Sequence, residues 1–259
     1  MKAASADLIA LLGGVGNQFV MWDTYTFTLA DAATLTYSTA DGAPQSYDVV
    51  LNLSFEQGAG QVVRDGSSYA QATNAVTAST SASSPLVQGG SLIITPGAYI
   101  NYPTTQLFGF GRGPWTWEAR IQVASYPQTS GNCILDFRTS AFQDGAMFVR
   151  GSSPRTITYW DGVTADYSAA AADIAIGRPV EVCVSYDGAT VYGFVDGELL
   201  FAHARALDFT GSRPLRIGTN WENDADSRSD FKIDEVRVTR GVCLYRASYT
   251  ALRGAFPRP

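Results

Sequence analysis

Cysteine and charge are both scarce in this 259-residue chain. Its three cysteines, Cys133, Cys183 and Cys243, sit among apolar neighbours in the strings NCILDF, VEVCVSY and GVCLY. Their spacing gives neither a CxxC pair nor a zinc site, and an odd number argues against a disulfide framework. Buried free thiols are expected, compatible with assembly in a reducing cytoplasm. Charged residues make up only 16%, and the net charge of −6 sets the chain against phosphate backbones, which excludes nucleic acid as a partner. The one histidine, His203 in FAHARA, has no G-x-S-x-G elbow to pair it with a nucleophile, and a partly exposed strand or loop position is expected for it. GGVG at residues 13–16 lacks the Lys-Ser/Thr of a phosphate loop and reads as a joint or helix stop. No window holds the roughly 18 unbroken apolar residues of a membrane helix. The opening string MKAASADLIALLGGVG imitates a signal peptide, but Asp7 interrupts it and no cleavage pattern precedes Asn17 and Gln18. Neither membrane insertion nor conventional secretion is expected.

What is present points to strands. With 46% hydrophobic residues, 12% aromatics and 25 glycines, the chain has enough apolar side chains for one large core and the composition of short strands joined by tight turns. WTWEARIQV alternates, with Trp115, Trp117, Ala119, Ile121 and Val123 on one side and Thr116, Glu118, Arg120 and Gln122 on the other. That pattern predicts a half-buried strand with one wet face. Asp187-Gly188-Ala189 and Asp196-Gly197 each join two strand-like runs, VEVCVSY to TVYGFV and YGFV to ELLF, and both are hairpin signals. Further on, FKIDEVRVTRG offers Phe231, Ile233, Val236 and Val238 to a core. Trp117, Ile121, Val182, Val184, Ile233 and Val236 are predicted to be buried.

A Tyr-Asp-Gly turn, a Val-Asp-Gly turn, PLRIGTN and then the FKIDEVR strand, in that order, resemble LamG-type domains of the concanavalin A-like lectin and glucanase superfamily. The resemblance runs from about residue 49 to residue 259. It implies an all-β fold, a two-sheet antiparallel jelly-roll sandwich, within a family of binding modules. Residues 177–180 depart from it, where many relatives place Trp-x-His, and the effect is expected on packing. Glucanases of this superfamily carry a Glu-x-Asp-x-(x)-Glu string whose two carboxylates serve as nucleophile and acid/base. Here Glu118 is followed by Arg120, and the adjacent Asp234 and Glu235 belong on opposite faces of an alternating strand. No catalytic residue is assigned and no enzyme activity is expected.

Three groups remain as candidate sites. The loop NWENDADSRSD places Glu222, Asp224 and Asp226 at alternate positions, hard oxygen ligands of the kind calcium takes. Relatives in the resembled superfamily hold calcium at a loop rim, while the plain alternative is a solvated acidic loop. No other cofactor is expected. Tyr159, Trp160 and Trp221 lie beside loops, where an aromatic face can stack a sugar ring. Arg237, Arg240, Arg246, Arg253 and Arg258 form a basic strip on an acidic chain, suited either to solvent or to docking on an acidic neighbour.

Residues 1–48 read differently from the rest. Leu8, Leu11 and Leu12 suit one face of a short helix, and YTFTLADAATLTYSTADG suits a hairpin with Tyr25, Phe27 and Leu29 on one side. A helix and one hairpin bury too little to stand alone, so this extension must pack on its own domain or on a partner. The string ADLIALLGGVGNQFVMWDTYTFTLADAATLTYSTAD resembles the opening of tailed-phage tail proteins, with Ala32 and Ala33 where a turn glycine is usual. That resemblance implies a virion component of the tail tip or baseplate, assembled with other virion subunits in the host cytoplasm and turned toward a host glycan or protein. A structural brace or decoration protein and, with less support, a polysaccharide hydrolase are the other readings. If a metal is bound, millimolar calcium should raise the melting temperature, and Asp224→Ala with Asp226→Ala should abolish the shift. A shift that survives the double substitution excludes this loop.

Overall fold

The computed structural model describes residues 48–55, 63–73, 75–81, 86, 90–126, 131–222, 229–251 and 256. The predicted attachment contacts Tyr25, Phe27 and Leu29, and the carboxylates of Asp224 and Asp226, lie outside the described residues. Among those described, the regular elements are strands and one short 3-10 turn. The strands are β1 (Asp48–Leu53), β2 (Ala75–Val76), β3 (Ser79–Ser81), β4 (Ser91–Ile94) and β5 (Ile100–Thr105), then the 3-10 turn Gln106–Phe108. There follow β6 (Trp115–Val123), β7 (Asn132–Asp136), β8 (Ala146–Val149), β9 (Ile157–Trp160) and β10 (Ala165–Asp166). The last are β11 (Pro179–Tyr186), β12 (Thr190–Val195), β13 (Glu198–Ala204), β14 (Arg213–Ile217) and β15 (Phe231–Arg240).

They form two antiparallel sheets facing one another across a core. The eight-stranded sheet runs β13-β12-β11-β6-β15-β4-β3, with β1 also paired to β15; the seven-stranded sheet runs β10-β9-β8-β7-β14-β5-β2. Both expected hairpins are present: β11 joins β12 and β12 joins β13, and at the second turn Asp196 and Gly197 both have positive φ, 51° and 79°. That backbone is the one a two-residue turn between twisted strands requires. The six residues predicted to be buried all have no exposed surface. Trp115 and Trp117 stack at 4.0 Å between ring centres, and Phe110, Phe137 and Phe209 from surrounding segments pack around them. Cys133 and Cys183 are buried free thiols, and burial pushes both well above the ordinary thiol range.

Two expectations about faces are overturned. β15 does not alternate strictly. Phe231 and Ile233 reach the core, the register against β6 then shifts between Asp234 and Val236, and Val236 and Val238 reach the same core. Glu235, at φ +52°, is the extra residue of this bulge, so Asp234 and Glu235 are not simple opposite-face neighbours. The bulge also divides the far edge of β15, which pairs with β4 through Phe231–Ile233 and with β1 through Val236–Arg240.

The second correction concerns the predicted wet face of β6. Thr116, Glu118 and Arg120 are buried, because the chain after β15 returns across that face. Thr116 Oγ1 donates to Val242 O at 3.1 Å and accepts from Leu244 N at 2.9 Å. Tyr245 and Tyr249 stack at 3.7 Å and donate their hydroxyls to Glu118 and Glu181, at 3.0 and 2.8 Å. Phe256 lies 4.9 Å from the guanidinium carbons of both Arg120 and Arg237. Alternation reports only which side chains are polar; a strap that meets carboxylates with tyrosine hydroxyls and guanidinium groups with a phenyl face turns a polar face into an interior one.

Beneath the strap, Arg237 Nε and Nη2 donate to the two Glu118 oxygens at 2.6 and 2.8 Å, tying β15 to β6 at the centre of the sheet. Arg237→Ala leaves Glu118 buried without its counter-charge and should cost about 3–5 kcal/mol of stability. Glu118→Leu combined with Arg237→Met should cost much less, as read from urea midpoints. Equal losses in the single and double variants would show that the pair does not organise this face.

Candidate functional site

With the outer face of the eight-stranded sheet covered, the outer face of the seven-stranded sheet is the one that the described residues leave without such a strap. Met147, Val149, Ile157 and Tyr159 point inward and are fully buried, so the residues alternating with them, Phe148, Thr158 and Trp160, point outward. Register continues this face across the sheet: Trp160 pairs with Ala146, Ala146 with Asp136, Asp136 with Arg216, and Arg216 with Asn101. Of these outward residues Phe148, Trp160, Arg216 and Asn101 are partly exposed, while Ala146, Asp136 and Thr158 are buried.

Asp136 is the anchor of the centre. Its carboxylate has no exposed surface and accepts from Arg138 N, Nε and Nη2 at 2.6–3.1 Å and from Trp221 N at 3.0 Å. Burial pushes the Asp136 pKa up while the Arg138 bonds oppose it; burial also works against the Arg138 charge, but the Asp136 bonds and charge outweigh this and raise its pKa. Four N–H donors on one carboxylate hold it as the anion of a buried pair. Arg138 in turn lies 5.5 Å over the Phe148 ring, and its carbonyl accepts from Arg216 Nη1 at 2.9 Å. Asp136 therefore fixes Arg138, the backbone that carries Trp221 and, through Arg138, one side of Phe148.

One edge of the face carries a second guanidinium. Arg150, just beyond β8, lies 3.8 Å from the centre of the Tyr167 ring, on the residue after β10. The end beside Trp160 is apolar and exposed: Phe142 is 87% and Val163 79% accessible. Their loops are nonetheless held. Trp160 Nε1 donates to Ala141 O at 3.3 Å, Gln143 Oε1 accepts from Thr139 N and Oγ1, and Asp161 accepts from Val163 N, Thr164 N and Thr164 Oγ1. A Cβ on Gly162 would lie 2.6 Å from Phe142 O, so the two loops touch through a glycine.

The sequence candidates divide accordingly. Trp160 belongs to the open face by register and Trp221 by its bond to Asp136; both are partly exposed. Tyr159 is corrected. It follows the inward parity of β9, has no exposed surface, and lies 5.8 Å from Trp115 and 6.0 Å from Trp117, inside the core. Glu222 is exposed, and the described residues contain no group of three or more potential metal ligands. Of the basic strip, Arg237 pairs with Glu118, Arg240 with Asp48 at 2.7 Å, and Arg246 lies 3.7 Å from Asp187, while Arg253 and Arg258 lie outside the described residues. His203, on β13, meets Asp166 of β10 at 2.8 Å, and Arg205 bonds both Asp166 and Asp161. The lone histidine belongs to an ionic latch between the edge strands of the two sheets. Asp136, Arg138, Phe142, Phe148, Arg150 and Tyr167 were not singled out from sequence. The alternation of AMFVRG against the inward Met147 and Val149 carried the signal for Phe148 and Arg150.

A family model described as the concanavalin A-like lectin/glucanases superfamily matches residues 95–243, more than half of the chain. No curated protein sequence matches it. Among solved structures, domain 4 of AbnA, a GH43 extracellular arabinanase from Geobacillus stearothermophilus, in complex with arabinotriose, is similar at TM-score 0.59 and 14% identity, covering 77% of this chain and 95% of that one. The binding domain of Paraclostridial Mosquitocidal Protein 1 follows at TM-score 0.57 and 8% identity, covering 76% of this chain and 50% of that one. The botulinum neurotoxin serotype D ligand-binding domain in complex with N-acetylneuraminic acid gives TM-score 0.52 and 10% identity, covering 76% of this chain and 48% of that one. The chain thus spans about half the length of the toxin domains, and at these identities the likeness is one of fold.

Asp136→Asn keeps the side-chain shape but leaves Arg138 buried without its counter-charge. Stability should fall by about 3–5 kcal/mol. The Trp221 amide, freed from a charged acceptor, should exchange its proton faster in native-state hydrogen exchange. An unchanged Trp221 rate in a folded variant would sever the link between the two.

Proposed function

The chain belongs to the concanavalin A-like lectin/glucanase superfamily, and on that premise we propose that it is a non-enzymatic binding module for a host-surface glycan. The observation that carries this reading is the open face of the seven-stranded sheet, where the partly exposed Trp160, Phe148, Tyr167 and Trp221 accompany Arg150 and Arg216 over the buried Asp136–Arg138 pair. Aromatic rings stack on the C–H faces of sugars, and fixed guanidinium donors orient their oxygens. The exposed Phe142 and Val163 extend the same surface past Trp160. A non-enzymatic role is supported by where the carboxylates go. Glu118 and Glu181 are taken up by Arg237, Arg120 and two tyrosines under the strap, and Asp136 is enclosed by four donors.

The setting we propose is a tailed-phage virion, with residues 1–48 attaching the module to other virion subunits. That part rests on the sequence resemblance of residues 6–41 alone. Calcium is proposed only as a rim ligand of Glu222, Asp224 and Asp226.

An array of neutral and acidic glycans, probed with the full chain, tests the reading. Binding is expected to at least one group of glycans, and Trp160→Ala should weaken it about tenfold, the scale of one lost aromatic stack. Binding to no glycan, or affinity indifferent to Trp160→Ala and Phe148→Ala together, would remove this face as the site. Release of reducing ends from a bound polysaccharide would overturn the non-enzymatic part.

A further inference from the structure

Arginines elsewhere on the sandwich, such as Arg120, Arg138, Arg205, Arg213 and Arg237, each sit on a carboxylate. Arg150 and Arg155 do not: neither forms an ion pair among the described residues. Both lie on the turn that links β8 to β9, and each guanidinium rests on a tyrosine, Arg150 on Tyr167 at 3.8 Å and Arg155 on Tyr126 at 4.8 Å. Burial pushes the Tyr126 hydroxyl up to about 12, and it donates to Ile174 O at 2.7 Å, so its ring is held beneath Arg155. Arg155 Nε reaches only the carbonyl of Gly151, at 3.4 Å. Arg150 Nη2 donates to Ser152 Oγ at 3.2 Å, while Arg150 Nη1 is buried and donates to no acceptor among the described residues.

A buried guanidinium N–H without an acceptor is unfavourable, and a tyrosine face compensates only part of the lost hydration. An acceptor of negative charge on this turn would complete the geometry. One nearby carboxylate is otherwise engaged: Asp173 Oδ1 accepts from Arg155 N at 2.8 Å and from Ser153 Oγ at 3.2 Å. Phe148 points to the same side of β8 as Arg150, two residues away and partly exposed, and supplies an apolar ring beside the cation. A cation and a ring side by side on a rigid edge suit a ligand that has both a carboxylate and a C–H face.

We propose that Arg150, seated on Tyr167, binds the carboxylate of an acidic sugar whose ring lies against Phe148, with Arg155 as the second cation. The assignment rests on the glycan reading above and names its ligand class. Exposed Ser152 and Ser153 supply hydroxyls at the same turn.

The full chain is titrated with oligosaccharides ending in glucuronic or N-acetylneuraminic acid, with their neutral counterparts, and with inorganic sulfate. The acidic glycans should bind at least about tenfold more tightly than the neutral ones, the scale of one charge-assisted contact. Arg150→Gln should erase that preference, bringing the acidic glycans to the affinity of the neutral ones, and Arg150→Lys should keep part of it. Because Arg150→Gln removes a buried donor without an acceptor, its melting temperature should be unchanged or higher. Neutral glycans bound as tightly as acidic ones would overturn the acidic-ligand assignment and leave the glycan reading standing. No binding to any glycan removes both. Equal affinity for inorganic sulfate would reduce the site to a general anion pocket, and a markedly lower melting temperature with acidic binding unchanged would make Arg150 a structural cation.

Discussion

The fold depends most on the junction of β6 and β15, where Glu118 and Arg237 form a two-pronged ion pair inside the eight-stranded sheet. Two charges taken out of water stabilise only when their remaining lone pairs and protons are also met. Here the strap after β15 supplies what is missing, through the Tyr245 hydroxyl on Glu118 and the Phe256 ring beside Arg237. The segment docks further along on the β12–β13 hairpin, where Tyr249 N donates to Gly197 O at 2.8 Å and a Cβ on Gly197 would stand 2.1 Å from Tyr249 O. A glycine is required there for two reasons, its positive φ and this close approach. Closing one face of the sandwich in this way decides which face the described residues leave uncovered.

The two outer faces carry similar residue types in different electrostatic states. Under the strap, Arg120 and Arg237 each have a glutamate and share an aromatic ring, so their charge is spent inside the protein. On the open face, Arg138 is likewise matched by Asp136, but Arg150 at its edge, like Arg155 on the same turn, rests on a tyrosine ring and pairs with no carboxylate among the described residues. A guanidinium stacked on a ring is held in place at little cost in side-chain entropy. The first arrangement stabilises and the second presents.

Strand pattern made much of the fold legible. Alternation in WTWEARIQV located Trp117 and Ile121 in the core, and the two Asp-Gly turns located the hairpins. Periodicity failed where a face was decided by a distant segment. Glu118 looks solvated in any local window, and it is buried by residues that return over β6 after β15, Val242 to Tyr249 and Phe256. It failed again at Glu235, because an inserted residue in a bulge leaves every neighbour polar or apolar as before and changes only the phase. For the site, loop position favoured Trp160 and Trp221, but the same cue misplaced Tyr159, whose inward parity depends on the register of β8 and β9. Asp136 could not be read at all: NCILDF is nearly continuous apolar sequence, and the use of its aspartate depends on Arg138 and on a backbone amide 85 positions later.

The latch at the sandwich edge bears on the open face as well. β10 contains only Ala165 and Asp166, too short a strand to hold its place by two pairings with β9. What fixes it is the buried Asp166 carboxylate, bound by His203 and Arg205 from the other sheet. Arg205 also bonds Asp161, at the start of the turn that displays Val163. Tyr167 is the next residue after this anchor, so the ring that supports Arg150 takes its position from a cross-sheet ionic contact and not from strand pairing. The same contact thus governs both ends of the open face along β9 and β10: the Tyr167 ring at one end and, through Asp161, the exposed loop beside Trp160 at the other.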